Sequence, residues 1–193
     1  MSKRREKVEE TRRRIAKATF ELHSTIGPAD TTMALIAARA GLPRQTVFRN
    51  FASRVELFRS CIGFGLELNP PPAPGEWEAV PPGIERLRCG LTELYRWFAA
   101  VEPVMTNMVR DIAAVPPEAL QPLVEFDARA HEVLCRGWDE ARGSVLVSLA
   151  IDFANWKKLR REHDMPSRTI VDFWAGQVDC HDVKVFPAAT DAA

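Results

Sequence analysis

Residues 38–51 read ARAGLPRQTVFRNF, a stretch rich in arginine and amide side chains that holds no acid. The acid-free interval is wider than the stretch, since no Asp or Glu stands between Asp30 and Glu56, while Arg39, Arg44, Arg49 and Arg54 fall inside it. Just upstream, Thr31 and Thr32 offer hydroxyls that can cap the free N–H groups of a helix start. Ile36, Ala37 and Ala40 then give that helix a thin apolar face, and alanines let two short helices cross closely. Gly41 permits the positive φ of a tight turn, Leu42 plugs the corner, and Val47 anchors a second helix over about Pro43 to Phe48. The spacing predicts a helix-turn-helix that leaves Arg44, Gln45, Thr46, Phe48 and Arg49 outside the core contact.

Those outward residues suit double-stranded DNA. Arginine can donate two parallel hydrogen bonds to guanine and glutamine can pair with adenine, while threonine or a planar aromatic can meet phosphate, sugar or a thymine methyl. Charge supports the same end of the chain. The net charge is zero, yet residues 1–60 hold 13 Lys or Arg against 6 Asp or Glu, and residues 61–193 hold 13 against 20. A basic region concentrated at one end is the electrostatic footprint of a nucleic-acid partner, whatever the total.

With 193 residues, of which 46% are hydrophobic, the chain is long enough for one large or two small domains with a buried core. It has no run of eighteen apolar residues, and MSKRREKVEETRRR leads into an amphipathic segment, so the expectation is a cytoplasmic protein without a membrane span. Cys61, Cys89, Cys135 and Cys180 are far apart, with no CxxC pair and no histidine pair at metal spacing. They read as free thiols, and no metal or cofactor is expected.

The chain reads as all-α. NPPPAPGEWEAVPPG, residues 69–83, cannot hold a continuous helix because of its prolines and glycines, and it is predicted to connect an N-terminal domain, 1–68, to a C-terminal one, 84–193. Before the connector the periodicity predicts helices from about Val8 to Ile26, Thr31 or Thr32 to Gly41, Pro43 to Phe48, and Arg54 to Leu68. After it, Ile84, Leu87, Leu91, Leu94, Phe98 and Val101 form an apolar stripe. A separate helix, EPVMTNMVRDIAAV, is predicted with Pro103 in its first turn. A long helix to about Arg142 follows Pro116-Pro117, and Gly143 is read as separating it from SVLVSLAIDFANWKKLRRE. A last helix covers about Ser167 to Val178.

Residues 12–62 resemble the DNA-binding domain of the tetracycline-repressor (TetR) family of bacterial transcriptional regulators. The matching features are Thr31-Thr32, IAARAG from Ile36, the aromatic pair Phe48 and Phe51, and Arg54 opening the fourth helix. The resemblance implies that Thr32, Phe48 and Arg54 contact phosphates and that Arg44, Gln45 and Thr46 face base edges. Three positions depart from the family pattern. Pro43 replaces a capping residue, Phe48 stands where tyrosine is common and so lacks a hydroxyl, and His23 occupies a site that is usually a core aromatic.

The resemblance further implies a homodimer whose C-terminal helices enclose a small-molecule pocket, with release from a palindromic operator on ligand binding; activation instead of repression stays open. Candidate pocket residues are Trp97, Phe98, Met105, Met108, Phe126, Trp138, Asp152, Asn155 and Trp156, because bulky and adaptable side chains suit a cavity. The same side chains also fit an ordinary core. Ser148, Asp152 and Asn155, spaced four and three apart, are expected to form a polar stripe on an otherwise apolar helix, a stripe that fits a pocket, a dimer seam or a solvated face. The dimer contact is expected from Val145 to Leu159 and Ile170 to Val178.

Rival functions are weaker. Asp127 and His131, four apart on one helix, could act as an acid and base, but no nucleophile accompanies them and an intrahelical ion pair is the better reading. CHD at Cys180 to Asp182 offers adjacent side chains that do not converge. A regulator controlled by a protein partner is a third possibility, and the chain is not expected to be an enzyme.

Overall fold

The computed structural model describes residues 3–138 and 140–179, with side chains throughout except at residues 140–142. Every regular element among them is helical. They are α1 (Lys3–Thr25), α2 (Met33–Ala40), α3 (Arg44–Asn50), α4 (Arg54–Leu68), α5 (Ile84–Arg110), α6 (Gln121–Cys135), α7 (Glu140–Ala150), α8 (Phe153–Arg161) and α9 (Ser167–Asp179). Short 3-10 turns at Pro74–Ala79, Ile112–Ala114 and Pro117–Ala119 occupy proline-containing or connecting stretches.

Three boundaries differ from the sequence expectation. The stripe over 84–101 and the segment holding Pro103 are one helix, α5, with the proline inside it. A proline there forfeits one backbone hydrogen bond and crowds the preceding turn, a penalty of about 3 kcal/mol. Burial of Leu87, Leu91, Leu94, Phe98 and Val101 along the same helix offsets it. Gly143 lies inside α7 instead of before it, and the break falls earlier, at Gly137 with φ +97°. SVLVSLAIDFANWKKLRRE is two helices, because Asp152 adopts an extended backbone and its carboxylate accepts the N–H of Asn155 at 2.8 Å, starting α8.

The chain divides into two compact units, one formed by Met1–Pro71 with Trp97–Glu125, the other by Pro72–Arg96 with Phe126–Ala193. The residues that follow the Pro-rich connector are therefore shared between both units, and α5 passes from one to the other. In the first unit, Ile15, Ala18, Ile36, Ala37, Ala40, Val47, Phe51 and Leu57 form the core of the four N-terminal helices. A second cluster joins Phe58 of α4 to Val115 and Ala119, with Ile62 and Met108 packed on it.

In the second unit, Trp77, Leu91, Tyr95, Leu134, Trp156 and Ile170 are almost wholly buried. Their polar atoms are satisfied locally. Tyr95 Oη donates to Ala150 O at 2.8 Å, Trp77 Nε1 to Glu93 Oε2 at 2.7 Å, and buried Arg86 donates from Nε to Val80 O at 2.8 Å. Desolvation pushes the Tyr95 hydroxyl far above its ordinary pKa, so it stays a neutral donor. Among the described residues no helix is long and apolar enough to cross a membrane.

Candidate nucleic-acid interface

The turn between α2 and α3 is built by backbone chemistry. Thr32 caps α2, its hydroxyl oxygen accepting Leu35 N–H at 3.2 Å while its own proton remains available to a ligand. Gly41 takes φ +62°, and the N–H groups of Gly41 and Leu42 close onto the carbonyls of Ala38 and Ala37 at 3.1 and 2.9 Å. This double closure requires a left-handed residue, which glycine supplies without strain. Pro43 precedes α3 with no side-chain cap, and Val47 is completely buried.

Arginines on α1 fix the hairpin from behind. Arg14 donates to Ala40 O at 2.7 Å, and Arg12 donates to Asn50 O and to Glu56 Oε1. Glu56 also accepts Ala52 N–H at 2.9 Å, and that bond, with Arg12, holds its carboxyl below the usual range. Arg39 pairs with Glu21 at 3.0 Å. These cations hold the scaffold, and α3 carries the others outward.

Arg44, Gln45, Phe48 and Arg49 are exposed and Thr46 is half-buried. Phe48 keeps half of its surface in solvent, 50%, with the Arg44 guanidinium 5.5 Å from its ring centroid. Thr32, Phe48 and Arg54 line one groove of about 380 Å³, together with Thr31, Ala52 and Ser53. Arg54 opens α4 and donates from Nη2 to Ala114 O at 2.7 Å. That bond uses one of five guanidinium donors, so four remain for a phosphate.

Beneath α4, still within the first unit, lies a cavity of about 60 Å³. Phe20, Phe58, Ile62, Leu66, Val101 and Val104 contribute to its walls, along with Trp97, Met105 and Met108. Of the other candidate pocket residues, Phe98 is buried without lining this cavity, and Phe126, Trp138, Asp152, Asn155 and Trp156 belong to the second unit. Trp156 packs there against Phe153 and Tyr95, with ring centroids at 5.7 and 6.3 Å. The polar stripe dissolves, because Ser148 is on α7, Asp152 is a cap and Asn155 belongs to α8.

His23 stands in the walls of both the cavity and the groove. Its ring lies 4.9 Å from that of Phe58, and Nδ1 is 3.5 Å from Cys61 Sγ. Burial, followed by the charge of Arg54, lowers its pKa to about 4 against an opposing pull from Asp111. Its backbone carbonyl accepts Asn107 Nδ2 at 2.9 Å. Arg110 donates to Ile26 O at 2.8 Å, and the Asp111 carboxylate accepts Ala29 N–H at 3.1 Å. The end of α5 thus grips the end of α1.

Asp127 and His131 form no ion pair among the described residues. His131 Nε2 instead lies 3.0 Å from Ser144 O and 3.3 Å from Cys135 Sγ. Cys61, Cys89 and Cys135 are free thiols, while Cys180 to Asp182 lie outside the described residues.

Residues 15–61, which span α1 to α4, match the family model described as bacterial regulatory proteins, tetR family. The match assigns the helix-turn-helix region of this chain, and not its remaining helices, to the tetR family. The chain is a DNA-binding transcriptional regulator. Its fold is similar to that of a Clostridium perfringens protein whose name assigns it to the regulation of fatty acid metabolism. That likeness has a TM-score of 0.61 and 18% identity, over 86% of this chain and 97% of the other. No curated protein matches the chain.

Sequence reasoning about this regulator missed the roles of Arg12 and Arg14, the cap formed by Ser53 with Glu56, and the clamp of Asn107, Arg110 and Asp111. Only the cap had a local signal, the Ser-x-x-Glu pattern before an apolar run. The cavity walls from α4 follow Phe58, Cys61, Ile62, Gly65 and Leu66, spacings of three and four that also describe an ordinary packed face.

Proposed function

We propose that this regulator binds a palindromic operator as a homodimer in the cytoplasm, represses there, and is released by a small-molecule effector. The observation that carries the DNA part is the single groove shared by Thr32, Phe48 and Arg54 beside the exposed Arg44, Gln45 and Arg49. In this reading Thr32, Phe48 and Arg54 hold the phosphate backbone, while Arg44, Gln45 and Thr46 meet base edges, with Arg49 at the groove margin. Phe48 packs on sugar or a thymine methyl in place of a hydroxyl bond.

Dimerisation through α7 and α9 is supported by Val145, Leu149 and Phe173, which keep 43%, 42% and 41% of their surfaces exposed. Apolar side chains left open on two helices favour a self-complementary partner, and a twofold dimer matches a palindrome. In this reading the sequence divides by role at the connector 69–83, with DNA binding in 1–68 and dimerisation in 84–193, a division by role that differs from the two compact units; the protein works without catalysis, metal or cofactor.

Gel-shift titration tests the reading. Binding that weakens steeply with salt and is reduced by Arg44→Ala supports it, and affinity indifferent to both contradicts it. Sedimentation at micromolar concentration supports the dimer if the mass is twice that of one chain and contradicts it if the chain stays single.

A further inference from the structure

We infer that the cavity beneath α4 is the effector site, that it takes an uncharged and largely apolar small molecule, and that Phe58 and Val115 pass its occupancy to Arg54. This rests on the ligand-controlled reading proposed above and specifies where and what the ligand is.

The lining decides the class of ligand. No Lys, Arg, Asp or Glu contributes to the cavity wall, and the polar side chains in it are His23, Cys61 and Asn69. His23 is held neutral, with its pKa lowered to about 4 by burial. Burial pushes the Cys61 thiol up to about 12, so it is neither an anion nor a nucleophile. A carboxylate placed here would lose its hydration without gaining a cation, whereas an alcohol or a carbonyl needs only one hydrogen bond. The neutral His23 ring can provide that bond. Met105 and Met108 give the walls side chains that rearrange easily, so the space of about 60 Å³ can open around a guest.

The route to DNA runs through one shared wall. His23 and Phe58 line both the cavity and the groove that holds Thr32, Phe48 and Arg54. The Phe58 ring lies 5.2 Å from Arg54 Cζ, and the carbonyl that Arg54 grips belongs to Ala114, directly before the cavity residue Val115. A guest that displaces Phe58 or Val115 therefore moves a neighbour or a hydrogen-bond partner of Arg54. Occupancy then favours a state in which Arg54 meets phosphate less well, which is the differential affinity that release requires.

The test uses the full chain, hexan-1-ol and hexanoate as matched probes, and an operator duplex recovered by selection. Calorimetry is expected to show hexan-1-ol binding at least about tenfold more tightly than hexanoate. Hexan-1-ol should weaken operator binding by about tenfold in fluorescence anisotropy. Ile62→Phe and Val104→Phe each fill the cavity, and either one that folds should lose alcohol binding. Phe58→Leu alters the wall itself, so it is compared at saturating hexan-1-ol, where the alcohol should no longer weaken operator binding.

Equal or tighter binding of hexanoate overturns the inference. So does the absence of alcohol binding, or its survival in a folded, filled variant. If another small molecule releases the operator equally from wild type and the filled variants, the cavity assignment fails while ligand control stands. If the cavity binds hexan-1-ol and operator affinity does not change, the transmission through Phe58 and Val115 is wrong, and ligand control loses its support.

Discussion

Arg54 Nη2 donates to Ala114 O at 2.7 Å, so the first residue of α4 is tied to the turn that follows α5 while its remaining donors border the groove of Thr32 and Phe48. An arginine placed this way positions the protein on a phosphate and carries no base information. Arg54→Ala is expected to weaken binding to all duplexes alike and to reduce the slope of log affinity against log salt by about one. Anisotropy titrations at several salt concentrations check this, and a loss confined to one sequence would contradict it.

Arg44 should behave differently. It is exposed at the start of α3, with its guanidinium over Phe48 and no structural bond to the scaffold among the described contacts. Arg44→Ala is expected to cost about 1–3 kcal/mol on the selected operator and to relax preference at one base position per half-site. The melting temperature should stay nearly constant, because substitutions at such surface positions usually change stability by less than about 0.5 kcal/mol. Competition among single-base operator variants reads the specificity.

His23 predicts a pH dependence of stability. Its folded pKa is lowered from the ordinary 6.5 to about 4, so between those values the unfolded chain binds a proton that the folded chain refuses. Stability contributed by keeping this ring neutral is complete above about pH 6.5 and declines as pH falls toward 4, by up to about 3 kcal/mol. Urea unfolding of wild type and His23→Gln across this range checks the sign. A difference between them that does not vary with pH would contradict it.

Asp152→Ala should be a helix-cap mutation. The carboxylate accepts Asn155 N–H at 2.8 Å and starts α8. Loss of such a cap costs about 1 kcal/mol of stability. Operator affinity and hexan-1-ol binding should not change. A change in either at unaltered stability would restore Asp152 to a pocket or to the dimer seam.

The helix-turn-helix was legible because its signals are local. Thr32 caps, Gly41 turns and Val47 anchors within sixteen residues, and each role follows from backbone chemistry alone. Asp152 misled for a related reason, since a cap and a helix face both present polar residues three and four apart. Pro103 was read as a boundary because a proline's local preference is to start a helix, and only the burial of the stripe on α5 overrides it. The cavity was only partly visible. Trp97, Met105 and Met108 stood out by size, but Phe20, Phe58 and Val115 come together from distant segments, and no periodicity reports that meeting. The clamp of Asn107 on His23 O was equally silent, because it joins a side chain to a backbone group 84 residues away.

Selection of bound sites from random duplex DNA, repeated with Arg44→Ala and Gln45→Ala, tests the central claim most directly. Wild type should recover a twofold-symmetric site whose half-sites lie about one helical turn, or a multiple of it, apart. Each variant should lose preference at a defined base within the half-site. Recovery of no enriched sequence, or of one that both variants bind as wild type does, would contradict the placement of α3 as the reading helix.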